Sequence, residues 1–130
     1  MNTVEMRTQV KQYIEQLSPE NLHFINPQLP LILTKIRSYL QTIYQDDLTH
    51  VILFGSQARG EAKKDSDLDI LIVLNHSFHY YQEVHKISQF ISDFSLEENI
   101  LISCCFTNRE KWETENSAFY RNIRREGIIL

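Results

Sequence analysis

Two apolar, β-prone runs bracket a polar hinge, and this arrangement limits the possible folds more than any other feature of the chain. Val51-Ile52-Leu53-Phe54 is continuous and stops at Gly55, whereas Ile70-Leu71-Ile72-Val73-Leu74 stands directly behind Asp67 and Asp69. Short, uninterrupted runs of this composition read as strands buried on both faces. Ile100 to Phe106 reads as a third buried strand. Between and before them the period changes. Leu33, Ile36, Leu40, Ile43 and Tyr44 fall on one helical face of the stretch Leu31 to Tyr44, and Tyr81, Val84, Ile87, Ile91 and Phe94 do the same from Phe78 to Phe94. Val4 to Leu17 suits a short amphipathic helix, and Ser18-Pro19-Glu20 reads as a cap leading into a second one over Glu20 to Phe24. Pro27 and Pro30 interrupt that stretch. Helical turns around Trp112 and from Phe119 to Arg125 precede an apolar end, Ile128-Ile129-Leu130. The expected class is α+β, a small mixed β-sheet flanked by helices.

The sequence has 130 residues, about the length of one domain, so residues 1–130 are read as a single unit. Residues 1–30 form an N-terminal helical extension in this reading, and residues 31–130 form the core. A chain of this size buries roughly two thirds of its unfolded surface and can fold on one core. Little length is left for a separate domain that binds a second substrate. A net charge of −4 argues against a broad nucleic-acid footprint, which is usually basic, so no direct nucleic-acid partner is expected. No run approaches a membrane span, and no leader resembles a signal peptide. Cys104 and Cys105 are neighbours in an apolar run, where an unstrained disulfide is rare. They read as two buried thiols, and the expected compartment is the cytoplasm.

The chemistry is concentrated between Leu53 and Ile70. Glycine after a buried strand lets backbone amides approach a phosphate, and a first helical turn presents unpaired N–H groups. Ser56 adds a hydroxyl to the same oxygens. Alone, Gly55-Ser56 is a plain turn. Asp67 and Asp69, two apart on a strand, leave the same face and repel one another unless a cation lies between them. Hard divalent ions such as Mg²⁺ take oxygen ligands and keep substrate phosphates in their shell. Alone, Asp-x-Asp is a solvated strand edge. The order is what carries weight: a strand ends in Gly-Ser, ten residues follow, and a second strand opens with the acids. Such neighbouring strands place a phosphate cradle and a metal site within one triphosphate length. Arg59, one turn from Ser56, is a candidate charged donor to those phosphates. Gly60 ends the turn, Ser66 caps or braces the loop, and Lys63 and Lys64 read as a solvated loop rather than a clamp.

Gly55-Ser56, Ala58-Arg59-Gly60, Ala62, Ser66-Asp67 and Asp69 resemble the signature of the DNA polymerase beta-like nucleotidyltransferase superfamily, and more narrowly its minimal nucleotidyltransferase (MNT) branch. The ending Phe119-Tyr120-Arg121-Asn122-Ile123-Arg124-Arg125-Glu126-Gly127 is similar to the tails of those small proteins. The resemblance implies a polymerase beta-like core in which Asp67 and Asp69 are catalytic and hold Mg²⁺. It also implies that Gly55, Ser56, Arg59 and Ser66 bind the nucleotide. It further implies a function: the antitoxin of a HEPN/MNT pair, which transfers AMP from ATP to a tyrosine hydroxyl of the HEPN ribonuclease, its partner in a hetero-oligomer. A non-catalytic antitoxin that covers its toxin stays open, as does an enzyme acting on a small-molecule hydroxyl.

Full members of that superfamily carry a third carboxylate on a later strand, where Ile100 to Phe106 has none. Glu97, Glu98 and Asp65 are the acids near enough in sequence to stand in. His76, His79 and His85 have no partners in a zinc-like pattern and read as surface or structural residues. Trp112, Tyr80, Tyr81, Phe119 and Tyr120 read as core. Arg121, Arg124 and Arg125 read as a solvated helix end, with an acidic partner as the alternative.

Overall fold

A computed structural model describes residues 28–60 and 66–130 of the chain. The helices read over Val4 to Leu17 and Glu20 to Phe24, together with Lys63, Lys64 and Asp65, lie outside the described residues. The elements run α1 (Leu29–Tyr44), a 3₁₀ turn (Gln45–Asp47), β1 (Leu48–Phe54), α2 (Gly55–Arg59), β2 (Leu68–Leu74), α3 (Tyr80–Glu98), β3 (Ile102–Asn108), α4 (Arg109–Thr114), α5 (Ala118–Glu126) and β4 (Ile128–Ile129). Helix α1 begins earlier than its apolar spacing suggests. Pro30 falls in its first turn, where the missing N–H costs nothing.

The α+β class holds. The sheet has four strands in the order β3-β2-β1-β4. β1 runs antiparallel to β2 and to β4, while β2 and β3 are parallel, with α3 as their crossover. The register pairs Phe54 with Asp69, Ile52 with Leu71, Asp69 with Ser103, and Leu71 with Cys105. Because side chains alternate across a strand, this register sorts the sheet into two faces.

One face presents Val51, Leu53, Leu68, Ile70, Ile72, Ile102 and Phe106 to a core completed by Leu29, Leu33, Ile36 and Leu40 of α1 and by Ile87 and Phe94 of α3. The two helices run in opposite senses over it. Lys35 pairs with Glu98 at 3.3 Å, the rings of Tyr39 and Phe90 stack, and the Lys86 ammonium lies over the Tyr44 ring. The other face presents Ile52, Leu71 and Val73, sealed by Ile123 of α5 with Phe54, Cys105 and Trp112 around them. Helix α4 is capped by Asn108, whose side chain accepts from the Lys111 N–H at 2.8 Å. Helix α5 is tied to its neighbours by polar contacts. The Arg124 guanidinium donates to the carbonyls of Trp112 and Lys111, and the hydroxyls of Thr107 and Tyr120 lie 2.7 Å apart.

Cys104 and Cys105 are both free thiols. As consecutive strand residues they point to opposite faces, which accounts for the missing bridge. Among the described residues no helix is long and apolar enough to cross a membrane.

Candidate functional site

The site lies where β1 ends and β2 begins. Gly55 adopts a positive φ of 75°, a left-handed conformation that L side chains rarely take. A Cβ built there would collide with Asp69 Oδ2 and lie 3.3 Å from its Cγ. Glycine is therefore required twice over, by the turn out of β1 and by the carboxylate lying against it. The contact follows from the register, since Asp69 is the partner of Phe54, the last residue of β1. Helix α2 closes on Gly60, whose N–H donates to the Ser56 carbonyl from a left-handed cap.

Asp69 is half-buried and Asp67, just before β2, is exposed. The Asp69 carboxyl is held above its ordinary pKa, first by burial, then by the negative charge of Asp67, with Arg59 opposing both. That balance places all three groups in one electrostatic neighbourhood. Ser66 is half-buried beside Asp67, and Ser56 is half-buried in the first turn of α2. Gly55, Ser56, Arg59, Ser66, Asp67 and Asp69 thus gather at one end of the sheet.

Among the described residues no third His, Cys, Asp or Glu joins the two aspartates in a metal-sized cluster. The donors offered are carboxylate oxygens, which suit a hard divalent cation, and their mutual repulsion is what such an ion would relieve. Glu98 does not reach them. It is bound to Lys35 where α1 and α3 meet, over the sheet face opposite Asp69, and Glu97 sits on the same last turn of α3. The residue beside Asp69 on β3 is Ser103, which is exposed. The Cys105 thiol, on the Asp69 side of the sheet, is pushed up to about 11, by burial first and by Asp69 second. It is a poor nucleophile there.

Two features of this region are absent from the sequence reading. Arg59 Nη1 lies 3.7 Å from Glu126 Oε2, so the last turn of α5 brings a carboxylate to the end of α2. A cavity of about 210 Å³ opens between them, lined by Gly55, Phe54, Arg59, Phe119, Asn122 and Glu126. The only signal for it was the strongly amphipathic spacing of Phe119 to Glu126, which fixes a helix but not its neighbour.

Several expectations about individual side chains need correction. Phe119 is 47% exposed and Tyr81 79% exposed, so they are not core, and Tyr80 is also largely open to solvent. Helix α3 buries only Glu83, Ile87 and Phe94, which leaves the aromatics of its first turn at the rim. Trp112 is half-buried and carries the Arg124 guanidinium over its ring at 5.7 Å. The three arginines of α5 are exposed, as expected of a solvated helix end, and each also has a partner within the chain: Arg124 on Trp112, Arg121 on the Asn116 carbonyl, and Arg125 on Asn122 and Glu126. His76 pairs with Asp47 at 2.7 Å, away from the aspartate pair.

Comparison with known proteins identifies the family. A model of a nucleotidyltransferase domain family matches residues 33–130. Two proteins of Methanocaldococcus jannaschii are similar in sequence. "Putative protein adenylyltransferase MJ0141" is 40% identical over 72 residues, covering 55% of this chain and 72% of the relative. "Putative protein adenylyltransferase MJ0604" is 32% identical over 92 residues, covering 70% of this chain and 86% of the relative.

Proposed function

The chain belongs to the nucleotidyltransferase domain family, and from that premise we propose that it is an MNT-type antitoxin. In this reading it transfers AMP from Mg-ATP to a tyrosine hydroxyl of a cognate HEPN ribonuclease toxin and so silences it. The supporting observation is the register that lays the Asp69 carboxylate against Gly55, because it joins an acid pair to an amide-rich bend at one strand end. The names of the two archaeal relatives favour a protein as acceptor. The HEPN partner, the tyrosine and a cytoplasmic location rest on the resemblance of the Gly55–Asp69 segment to the MNT branch.

Asp67 and Asp69 would hold Mg²⁺ through carboxylate oxygens. When bound, the ion neutralises charge that builds up on the phosphates and lowers the pKa of the acceptor hydroxyl. Gly55 and Ser56 offer backbone amides and a hydroxyl to the β- and γ-phosphate oxygens, and they orient the triphosphate so that its α-phosphorus faces the acceptor. Arg59 adds positive charge beside them. In the transfer, the tyrosine oxygen forms a bond to the α-phosphorus while the bond from that phosphorus to the α–β bridging oxygen breaks. The products are AMP-tyrosine and pyrophosphate, and the phenolic proton passes to solvent. Asp69 must be ionised for this; without the ion its carboxyl is held above its ordinary pKa by burial and by Asp67, and the cation favours the charged form.

The test is incubation of the protein with labelled ATP, Mg²⁺ and the HEPN protein encoded beside it. Label is expected on the toxin with the wild-type chain and not with Asp67→Asn/Asp69→Asn. An unlabelled toxin alongside an intact, ATP-binding antitoxin rejects the reading. A second reading, neutralisation by stoichiometric binding alone, is favoured by one observation: Ser103, not an acid, stands beside Asp69 on β3. Under it the double Asn variant protects cells as well as the wild type does.

A further inference from the structure

The outer edge of the sheet is open on the β3 side. β3 ends the strand order, and among the described residues no strand pairs with its outer side, so alternate residues turn their N–H and C=O groups away from β2. Exposed edges are commonly blunted by charged side chains, proline or a bulge. Ile102–Asn108 has none of these: it carries no charge and no proline, and its register with β2 runs without a shift. Beside that edge lies a groove of about 450 Å³, walled by Ile87 and Ile91 of α3 and by Ile102, Cys104 and Phe106 of β3. An unpaired edge beside a helix, with an apolar groove between them, can take in an extended peptide as an added strand. We propose that this edge docks an extended segment of the acceptor protein, uncharged and apolar at alternate positions, and leads its hydroxyl to the aspartates. This inference rests on the protein-adenylyltransferase reading.

Three observations select that occupant. The groove is continuous with the catalytic end of the sheet. Leu96 and Leu101, 80% and 61% exposed, line it there, and the Leu101 carbonyl accepts from the N–H of Leu68, the residue between the two aspartates. A segment laid along β3 therefore passes the acids as it leaves the groove. The lining carries no charged residue, and its hydroxyls belong to Ser88, Ser92 and Ser95. Such a wall gains by burying apolar side chains and penalises charged ones. The register sets the reach. Ser103, small and exposed, stands between Asp69 and the open edge. Neighbouring strands lie roughly 4.8 Å apart, so a residue opposite Ser103 on an added strand is about 10 Å from Asp69 across the sheet. When the residues on either side of it enter the groove, this one points to the Asp69 face. A tyrosine there projects over Ser103 toward a phosphate held at Asp69, a path that a bulky residue at 103 would close.

The experiment uses the full chain, Mg-ATP and the HEPN protein encoded beside it, and reads labelled transfer across acceptor concentrations. Ser88→Trp/Ser92→Trp fills the groove from two exposed positions, and Leu96→Glu places a charge at its catalytic end. Each is expected to raise the KM for the acceptor about tenfold, the scale of one interface hot spot. Saturating kcat and Mg-ATP affinity by calorimetry should stay at wild-type values. Hydrogen exchange supplies a readout that a merely structural effect would not move: β3 amides of the wild-type chain should gain protection when the HEPN protein is added. If the double tryptophan variant fails to fold, Leu96→Glu and the exchange measurement decide the matter. An unchanged acceptor KM, an equal loss of Mg-ATP affinity, or β3 amides that exchange as fast with the acceptor as without it each overturn the inference while the metal and phosphate site stands. A dimer of wild-type chains that Ser88→Trp/Ser92→Trp dissolves in sedimentation would assign the edge to a second copy and overturn it too. A wild-type chain that binds Mg-ATP and labels no acceptor overturns the proposed function itself, and this inference with it.

Discussion

On one face of the sheet Leu53, Ile70 and Ile72 are fully buried under α1 and α3; on the other, Ile52, Leu71 and Val73 are equally buried but give way at one end to Phe54 and Asp69. The first face is covered by two long helices along its whole length. Among the described residues the second is covered by two short ones, α4 and α5. The same alternation of side chains builds both. The difference shows how a small domain keeps chemistry and stability apart: the carboxylate carried by the sheet itself, Asp69, stands at a strand end rather than under the long helices.

The strongest test of that separation is the aspartate pair. Asp67→Asn/Asp69→Asn should lower AMP transfer more than about 100-fold, beyond what losing an outer-shell partner of a metal ligand costs. Its melting temperature should be preserved or rise, because the Asp69 charge is disfavoured in the folded chain. The sign is set by linkage. A folded pKa above the unfolded one destabilises the fold at neutral pH, and the penalty fades as pH falls through the elevated folded pKa and is gone below the ordinary carboxylate value. Calorimetry on the pair of proteins reads both effects, and a collapsed variant would break the comparison. On the covered face Ile72→Ala should do the opposite, costing about 2–5 kcal/mol in denaturant unfolding while the folded fraction keeps its activity.

Smaller effects sharpen the boundary between the regions. Gly55→Ala brings a Cβ onto Asp69 in a left-handed turn, so it should cost about 1–3 kcal/mol and reduce Mg-ATP affinity together. A variant that lost only one of these would show that the turn and the acid are not coupled. At the far end of the same face, His50 is half-buried. Burial first, then the charge of Arg109, holds its imidazole below the usual 6.5. As pH drops under that value the unfolded chain takes up a proton that the folded chain refuses, and stability declines. His50→Gln should flatten this decline, reducing the fall in Tm between about pH 7.5 and about pH 5 by about 1–4 °C, with activity unchanged.

The strands and the two long helices were legible because each depends on a period within one segment. Leu33, Ile36 and Leu40 announce a helical stripe, and Ile70 to Leu74 a buried strand, before any partner is known. Within the site, the shared side of Asp67 and Asp69 and the bend at Gly55 were equally local. Glu126, Asn122 and Phe119 were not, because nothing in the tail of the chain says that α5 folds back against α2. The exposed Tyr81 was misjudged for a related reason: the composition of a helix face does not reveal how far the sheet beneath it extends.

Covalent geometry fixes the direction of alternate side chains and the handedness of a turn, so the sequence alone determined the elements, the paired acids and the need for glycine after β1. It could not determine that Phe54 would stand beside Asp69, that β4 would pair with β1, or that Ser103 would be the β3 residue beside Asp69. Those depend on which distant segments bury their apolar faces against one another, a choice made by the whole chain at once, and only the tertiary structure records it.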